Sequence, residues 1–160
     1  AQIANGGYKI YPKIVMDDEN KISPIDKFTP LYKNSKNIKI VQDAMFASTN
    51  EVRGTSYRSR IDDPKYQFAG KTGTAQVKKI TERDRELDLK TFQIPYEERD
   101  HALYIAYGPY KNPRYAVSIL VEHGGNGSTT AAPMAKKLFK LIIDRHVLRN
   151  SMDNKKYLEI

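Results

Sequence analysis

Apolar and polar positions fall into recognisable periods along most of this 160-residue chain. Residues 8–15 alternate Tyr8, Ile10 and Ile14 against Lys9 and Lys13, which predicts a half-buried strand. Pro12 lacks an amide donor, so that strand belongs at an edge. Residues 17–36 are polar, contain Pro24 and Pro30, and read as loop. Ile38, Val41, Met45, Ser48 and Val52 then recur at spacings of three and four, one apolar helix face that ends before Gly54. Residues 66–80 read as a strand, and residues 81–99, dense in alternating charge, as a long excursion between strands.

The stretches 101–108 and 115–121 are apolar on both faces, as expected of strands covered on two sides. Between them Gly108-Pro109-Tyr110-Lys111-Asn112-Pro113 is strong turn chemistry, which predicts an antiparallel hairpin. Gly124-Gly125-Asn126-Gly127 breaks the last strand. Ser128 or Thr129 is expected to cap a helix with Pro133 in its first turn. Its apolar stripe is Met134, Ala135, Leu138, Phe139, Leu141 and Ile142. At the start, Ala1 to Gly7 read as a last helical turn closed by Asn5 and Gly6, the tail of an element that begins upstream. Three antiparallel strands with a helix before and a helix after make an α+β layer architecture, an antiparallel sheet with a C-terminal helix packed on it.

Composition narrows the chemistry. With no Cys, disulfide scaffolds, thiolate catalysis and Cys-ligated zinc are excluded. His101, His123 and His146 are too few and too dispersed in sequence to argue a metal site. No apolar stretch approaches the roughly 20 residues a membrane-spanning helix needs. The net charge of +8 is spread thinly, without a run of five like charges. It leaves open an alternative reading, a non-catalytic basic module binding nucleic acid or an anionic polymer, with steeply salt-dependent affinity.

Lys71-Thr72-Gly73-Thr74 is the sharpest local feature; one specified tetrapeptide arises by chance in about 0.3% of chains this long. On a strand beside a cleft, Lys71 supplies a cation for a carboxylate and the two threonine hydroxyls add hydrogen bonds. Gly73 lets a ligand backbone lie against the strand, and the Thr74 amide is a candidate oxyanion donor.

Further stretches join this one. They are Ala4-Asn5-Gly6-Gly7, Gly54-Thr55, the run from Ala69 to Val77, His101-Ala102, Tyr107-Gly108-Pro109, the run from Val121 to Gly127, and Ala131-Ala132-Pro133. Together they resemble the C-terminal half of the transpeptidase domain of a class B penicillin-binding protein of the elongation type, penicillin-binding protein 2. The resemblance implies a fragment of the fold shared with serine β-lactamases, with residues 1–150 the C-terminal part of the transpeptidase domain and 151–160 a polar tail. It also implies roles. Lys71 assists proton traffic at the catalytic serine and attracts the substrate carboxylate. Thr72 and Thr74 bind that carboxylate, Gly73 keeps the strand clear of the acyl donor, and the Thr74 amide forms half of an oxyanion hole.

The family's Ser-x-x-Lys is absent, since no serine here has lysine three residues on. Ser48-Thr49-Asn50 has the form Ser-x-Asn, yet lies on the predicted helix, where the family pattern does not place it; Ser48 is read as coincidence. No nucleophile and no metal ligand are therefore expected in this chain, which should be inactive alone. For the parent protein the resemblance implies a serine D,D-transpeptidase that cross-links peptidoglycan stem peptides and is acylated by β-lactams. It implies no cofactor and no nucleic acid. It further implies a glycosyltransferase partner of the elongation machinery, and an inner-membrane anchor upstream that places the domain in the periplasm.

Overall fold

The computed structural model describes residues 1–12, 29–79, 82–87 and 89–156, with side chains at 83–85 and 146–156 left aside. Helix α1 spans Ser35–Asn50. Asn34 starts it from an extended backbone, its side chain accepting from the Lys36 amide at 2.9 Å. After Asn50 the Glu51 amide still donates to Ala47 O, and Gly54 turns the chain back onto the helix end; a Cβ there would stand 2.5 Å from Ala47 O. Helix α1 therefore takes in the last two residues of the stretch read as loop, Ser35 and Lys36, and ends before Val52, which is 78% exposed. Its buried face is Met45 and Thr49, with Val41 turned outward.

Three strands follow: β1 Ala69–Ala75, β2 His101–Gly108 and β3 Tyr115–Val121. They form one antiparallel sheet in the order β1-β2-β3, with Lys71 opposite Ile105, Thr72 opposite Tyr104 and Ile105 opposite Ser118. The hairpin has the bounds that its turn chemistry predicts, and its Gly108-Pro109 peptide is cis. Strand β1 is shorter than the 66–80 expected. Tyr66 is held in a turn by Asp63 O, and beyond Ala75 the Val77 amide donates to Asp100 Oδ1 instead of continuing the ladder. The excursion 76–100 carries helix α2, Glu82–Leu87, and two short 3₁₀ turns.

At the start, the expected helical turn is present. Asn5 N–H donates to Ala1 O, and Gly6 and Gly7 close the turn at φ 92° and 90°, where a Cβ is disfavoured. The strand expected over 8–15 is not found in its described part, which makes a single bridge from Tyr8 to Pro30; residues 13–15 lie outside the described ones.

A π-turn, Gly127–Ala131, leads into helix α3, Ala132–Lys156, with Pro133 in its first turn as expected. The cap is Asn126, not Ser128 or Thr129: its side chain accepts the Ser128 amide at 2.8 Å. The buried face of α3 also differs from the expected stripe. Ala132, Ala135, Phe139 and Ile143 are buried, whereas Met134, Leu138 and Leu141 are exposed. The alanines let the helix approach the sheet closely, so that Phe139 stacks on Phe68 at 4.8 Å beside Ala102, Tyr104 and Ala106. Each fully buried phenylalanine contributes about 1.5–3 kcal/mol of burial.

Only this face of the sheet is covered along its length. Tyr115, Val117, Ile119 and Val121 point to α3, while Leu120 and Ile105 on the opposite face are 56% and 47% exposed. The two-sided cover read from the apolar strands is thus half realised among the described residues. A smaller cluster of Met45, Ala69 and Tyr107, flanked by Ile3, Ala4, Phe46 and Tyr110, closes one end of that opposite face.

Candidate active site

Lys71, Thr72, Gly73 and Thr74 all lie on β1, an edge strand of this sheet, so alternate backbone amides and carbonyls are not used by the ladder. Lys71 shares its face with its partner Ile105 and is exposed; Thr72 shares the α3-side face with Tyr104 and is half-buried. The Lys71 ammonium folds back along the strand, donating to Thr72 O at 2.8 Å and to Thr72 Oγ1 at 3.4 Å. Cation and hydroxyl therefore converge on one point at the strand edge. Thr74 is exposed beyond them.

The Thr72 hydroxyl has a second neighbour that the sequence reading did not assign: Thr55 Oγ1 lies 3.3 Å away, and Ser48 Oγ lies 3.2 Å beyond that. The end of α1 thus reaches the Lys71-Thr72 pair through two hydroxyls. Alongside runs a concavity of ≈ 580 Å³ whose walls include Val41, Ala44, Met45 and Ile105, with Lys71 and Thr55 on its lining. A cation beside apolar walls is less screened than one in open water.

Gly73 meets its surroundings from the protein side. A Cβ on it would stand 3.2 Å from Leu103 Cβ. A Cβ on Gly127 would stand 2.5 Å from Gly73 O. The glycine run that the sequence presents as a strand-breaking turn therefore also seats its last member on the backbone of the Lys-Thr-Gly strand. Asp100 ties the other end: its side chain accepts from Val77, just past β1, and its carbonyl accepts from Gly125 at 2.7 Å. A glycine run with Asn126 inside it and Gly127 at its end was the available signal for the first contact; the second had none.

His101, the first residue of β2, and His123, in the turn just past β3, are brought together with ring centroids 4.8 Å apart. The His123 amide donates to His101 Nδ1, and His123 Nδ1 faces Arg99 O, so the pair holds the turn in which His123 adopts φ 53°. Among the described residues no group of three His, Cys, Asp or Glu side chains is disposed to hold a metal, and no helix is long and apolar enough to cross a membrane.

Against known families, the model of the penicillin-binding protein transpeptidase domain matches residues 1–140. The chain belongs to that family. Among its relatives, the peptidoglycan D,D-transpeptidase MrdA of Salmonella typhimurium is 36% identical over 105 residues, which is 66% of this chain and 16% of that protein. The Acinetobacter baumannii protein of the same name is 41% identical over 81 residues, 49% of this chain and 11% of that one. The Pseudomonas aeruginosa PBP2 solved in complex with WCK 5153 superposes with a TM-score of 0.63 at 29% identity, covering 88% of this chain and 28% of that one. The Helicobacter pylori PBP2 solved in complex with MreC gives a TM-score of 0.54 at 33% identity, covering 69% and 18%. The penicillin-binding transpeptidase fold expected from the resemblance is borne out, and the chain spans about a sixth of the Salmonella relative's length.

Proposed function

We propose that residues 1–150 are the C-terminal part of the transpeptidase domain of a peptidoglycan D,D-transpeptidase, with 151–160 a polar tail. The observation that carries this reading is the convergence of the Lys71 ammonium and the Thr72 hydroxyl on the edge of β1, which among the described residues is an outer strand of the sheet, beside an apolar concavity. In this role Lys71 attracts the terminal carboxylate of a stem peptide and assists proton transfer at a serine carried elsewhere in the parent protein. Thr72 and Thr74 hydrogen-bond the carboxylate, and the Thr74 amide faces the oxyanion as the serine ester forms and the terminal D-alanine leaves. Gly73 leaves the strand edge open to the extended donor peptide, which adds to it as a further strand.

The apolar walls beside Lys71, with Ile40 and Val41 65% and 41% exposed, fit burial by the segment that bears the nucleophile. This chain alone is accordingly inactive. β-Lactams acylate the parent protein's serine, held by the same carboxylate contacts. The parent's partners in this reading are stem peptides, an elongation-machinery glycosyltransferase and, as in the Helicobacter complex, a protein like MreC. It works on the periplasmic side of an inner membrane to which an upstream segment anchors it, and it uses no cofactor.

The test is covalent labelling by a fluorescent penicillin, read by intact mass. The full-length protein should gain one adduct, strongly reduced by Lys71→Ala and absent from residues 1–160 alone. An adduct on the short chain would refute the missing-nucleophile reading. No adduct on a well-folded full-length protein would reduce the likeness to fold and bring the anionic-polymer module forward, to be tested by salt-dependent binding.

A further inference from the structure

Thr49, Ser56 and Tyr104 are 0%, 1% and 1% exposed, and their three hydroxyls meet. Thr49 Oγ1 lies 2.9 Å from the Tyr104 hydroxyl and 3.3 Å from Ser56 Oγ; Ser56 Oγ lies 3.1 Å from the Tyr104 hydroxyl. Buried hydroxyls are costly unless each proton finds an acceptor. Here each does. Ser56 donates to Ser48 O at 3.0 Å, Tyr104 donates to Thr49, and Thr49 has Met45 O and Ser56 as acceptors. Burial pushes the Tyr104 phenol above its ordinary range, so it stays a donor at any working pH.

The tyrosine reaches this position by passing beneath β1. Gly70 permits that passage: a Cβ there would stand 2.7 Å from Tyr104 Cε1 and overlap its hydroxyl. The ring therefore ties together three segments, the end of α1, the turn after it and β2, directly behind the strand that carries Lys71. The chain neighbours of two ring members, Ser48 and Thr55, turn the other way and form the hydroxyl contacts that end on Thr72.

We infer that Tyr104 is a positioning residue for the carboxylate-binding pair Lys71 and Thr72, acting through Ser56 and Thr55 on the Thr72 hydroxyl. This rests on the transpeptidase reading above. Ser56 is fixed by the buried ring, Thr55 is fixed by being joined to it, and Thr55 Oγ1 fixes which way the Thr72 hydroxyl faces. Without the ring the Thr72 hydroxyl loses the Thr55 constraint and keeps only the long 3.4 Å contact from Lys71, so a ligand carboxylate must order it on binding.

The experiment uses the full-length protein and two probes, a labelled penicillin with its free carboxylate and the methyl ester of the same compound. Tyr104→Phe keeps the aromatic packing and removes the phenol oxygen. Its second-order labelling rate with the free acid should fall by about 10-fold while the ester changes by less than about 2-fold. Thr55→Val, at an exposed position away from the core, should reproduce the selective loss, and Thr55→Ser should restore the rate. Equal losses with acid and ester, or no loss in either the Tyr104 or Thr55 variant, would overturn the positioning role and leave the ring as a structural tie. A wild-type protein that takes no label would overturn the transpeptidase reading and this inference with it, an outcome distinct from the others.

Discussion

Gly127 sits on the backbone of Gly73: a Cβ on the first would stand 2.5 Å from the carbonyl oxygen of the second and 3.2 Å from its amide nitrogen. The two residues are far apart in sequence, one in the turn before α3 and one in the Lys-Thr-Gly strand. Neither partner can yield as a flexible side chain would, because both contacting groups are main chain. The turn thus sets how deeply β1 lies over the start of α3.

Gly127→Ala should therefore be destabilising by about 1–3 kcal/mol, the usual range for overpacking, or should displace β1 outward. Urea unfolding of the full-length protein measures the first outcome, and penicillin labelling the second. Ser128→Ala, one residue on, loses only a hydroxyl contact to Asn126 and should change stability much less.

Tyr107 is 3% exposed, and its hydroxyl has no hydrogen-bond partner among the described residues. Burial pushes its phenol pKa far up, with the Tyr110 and Asp43 charges adding to the shift. Replacing an unsatisfied hydroxyl by hydrogen removes a desolvation cost of about 1–3 kcal/mol. Tyr107→Phe should be neutral or stabilising in thermal unfolding, and a loss of stability would mean that the hydroxyl has a partner.

Asp43 accepts from Lys39 at 2.7 Å and from Tyr110 at 2.6 Å, and Lys39 first and Tyr110 second hold its carboxyl below the ordinary carboxylate value. Asp144, bonded to Tyr66 and Lys65, is lowered in the same way, with Tyr66 the larger cause. A folded-state pKa below the unfolded one gives stability that is present above about pH 4 and lost as the pH falls through the depressed value. Asp43→Asn and Asp144→Asn should therefore lower the unfolding temperature at neutral pH, and the difference from wild type should vanish in acid. Both carboxylates face water, so the effects should be small and should shrink with added salt.

Asp100 links the end of β1 to the glycine turn, its side chain on Val77 and its carbonyl on Gly125. Asp100→Ala removes only the first link. The Val77 amide should then exchange faster with solvent, and the 76–99 excursion should be cut more readily by protease, while exchange in β2 and β3 stays as before. Unchanged exchange at Val77 would mean that the side-chain bond does not hold the strand end.

Much of this was legible from sequence because the deciding forces act over a few residues. Turn chemistry from Gly108 to Pro113 delimits β2 and β3 at their observed ends, and spacing places a helix before Gly54 and another after Gly127. The Lys71-Thr72-Gly73-Thr74 run can be assigned to a strand by its neighbours alone. The burial of α3 was not legible. Its stripe contains more apolar residues than one sheet face can cover, so Ala135, Phe139 and Ile143 are buried and Leu138 and Leu141 are left in water. Nor was the helix cap: Asn126, Ser128 and Thr129 are all competent, and the approach of Gly127 to Gly73 selects Asn126.

By itself, then, the sequence determined the three sheet strands, the two long helices, their order and the residue types held on one strand, since these follow from periodicity and local hydrogen bonding. The strand expected over 8–15 was not found in its described part, where a single bridge to Pro30 replaces a ladder. Which hydroxyls meet, which face is buried and which glycine must lack a side chain were decided only in the folded chain. Thr49 and Tyr104 are 55 positions apart, and nothing local to either specifies the 2.9 Å between them. That distance is a product of packing, in which the room left by Gly70 counts for as much as the tyrosine that fills it.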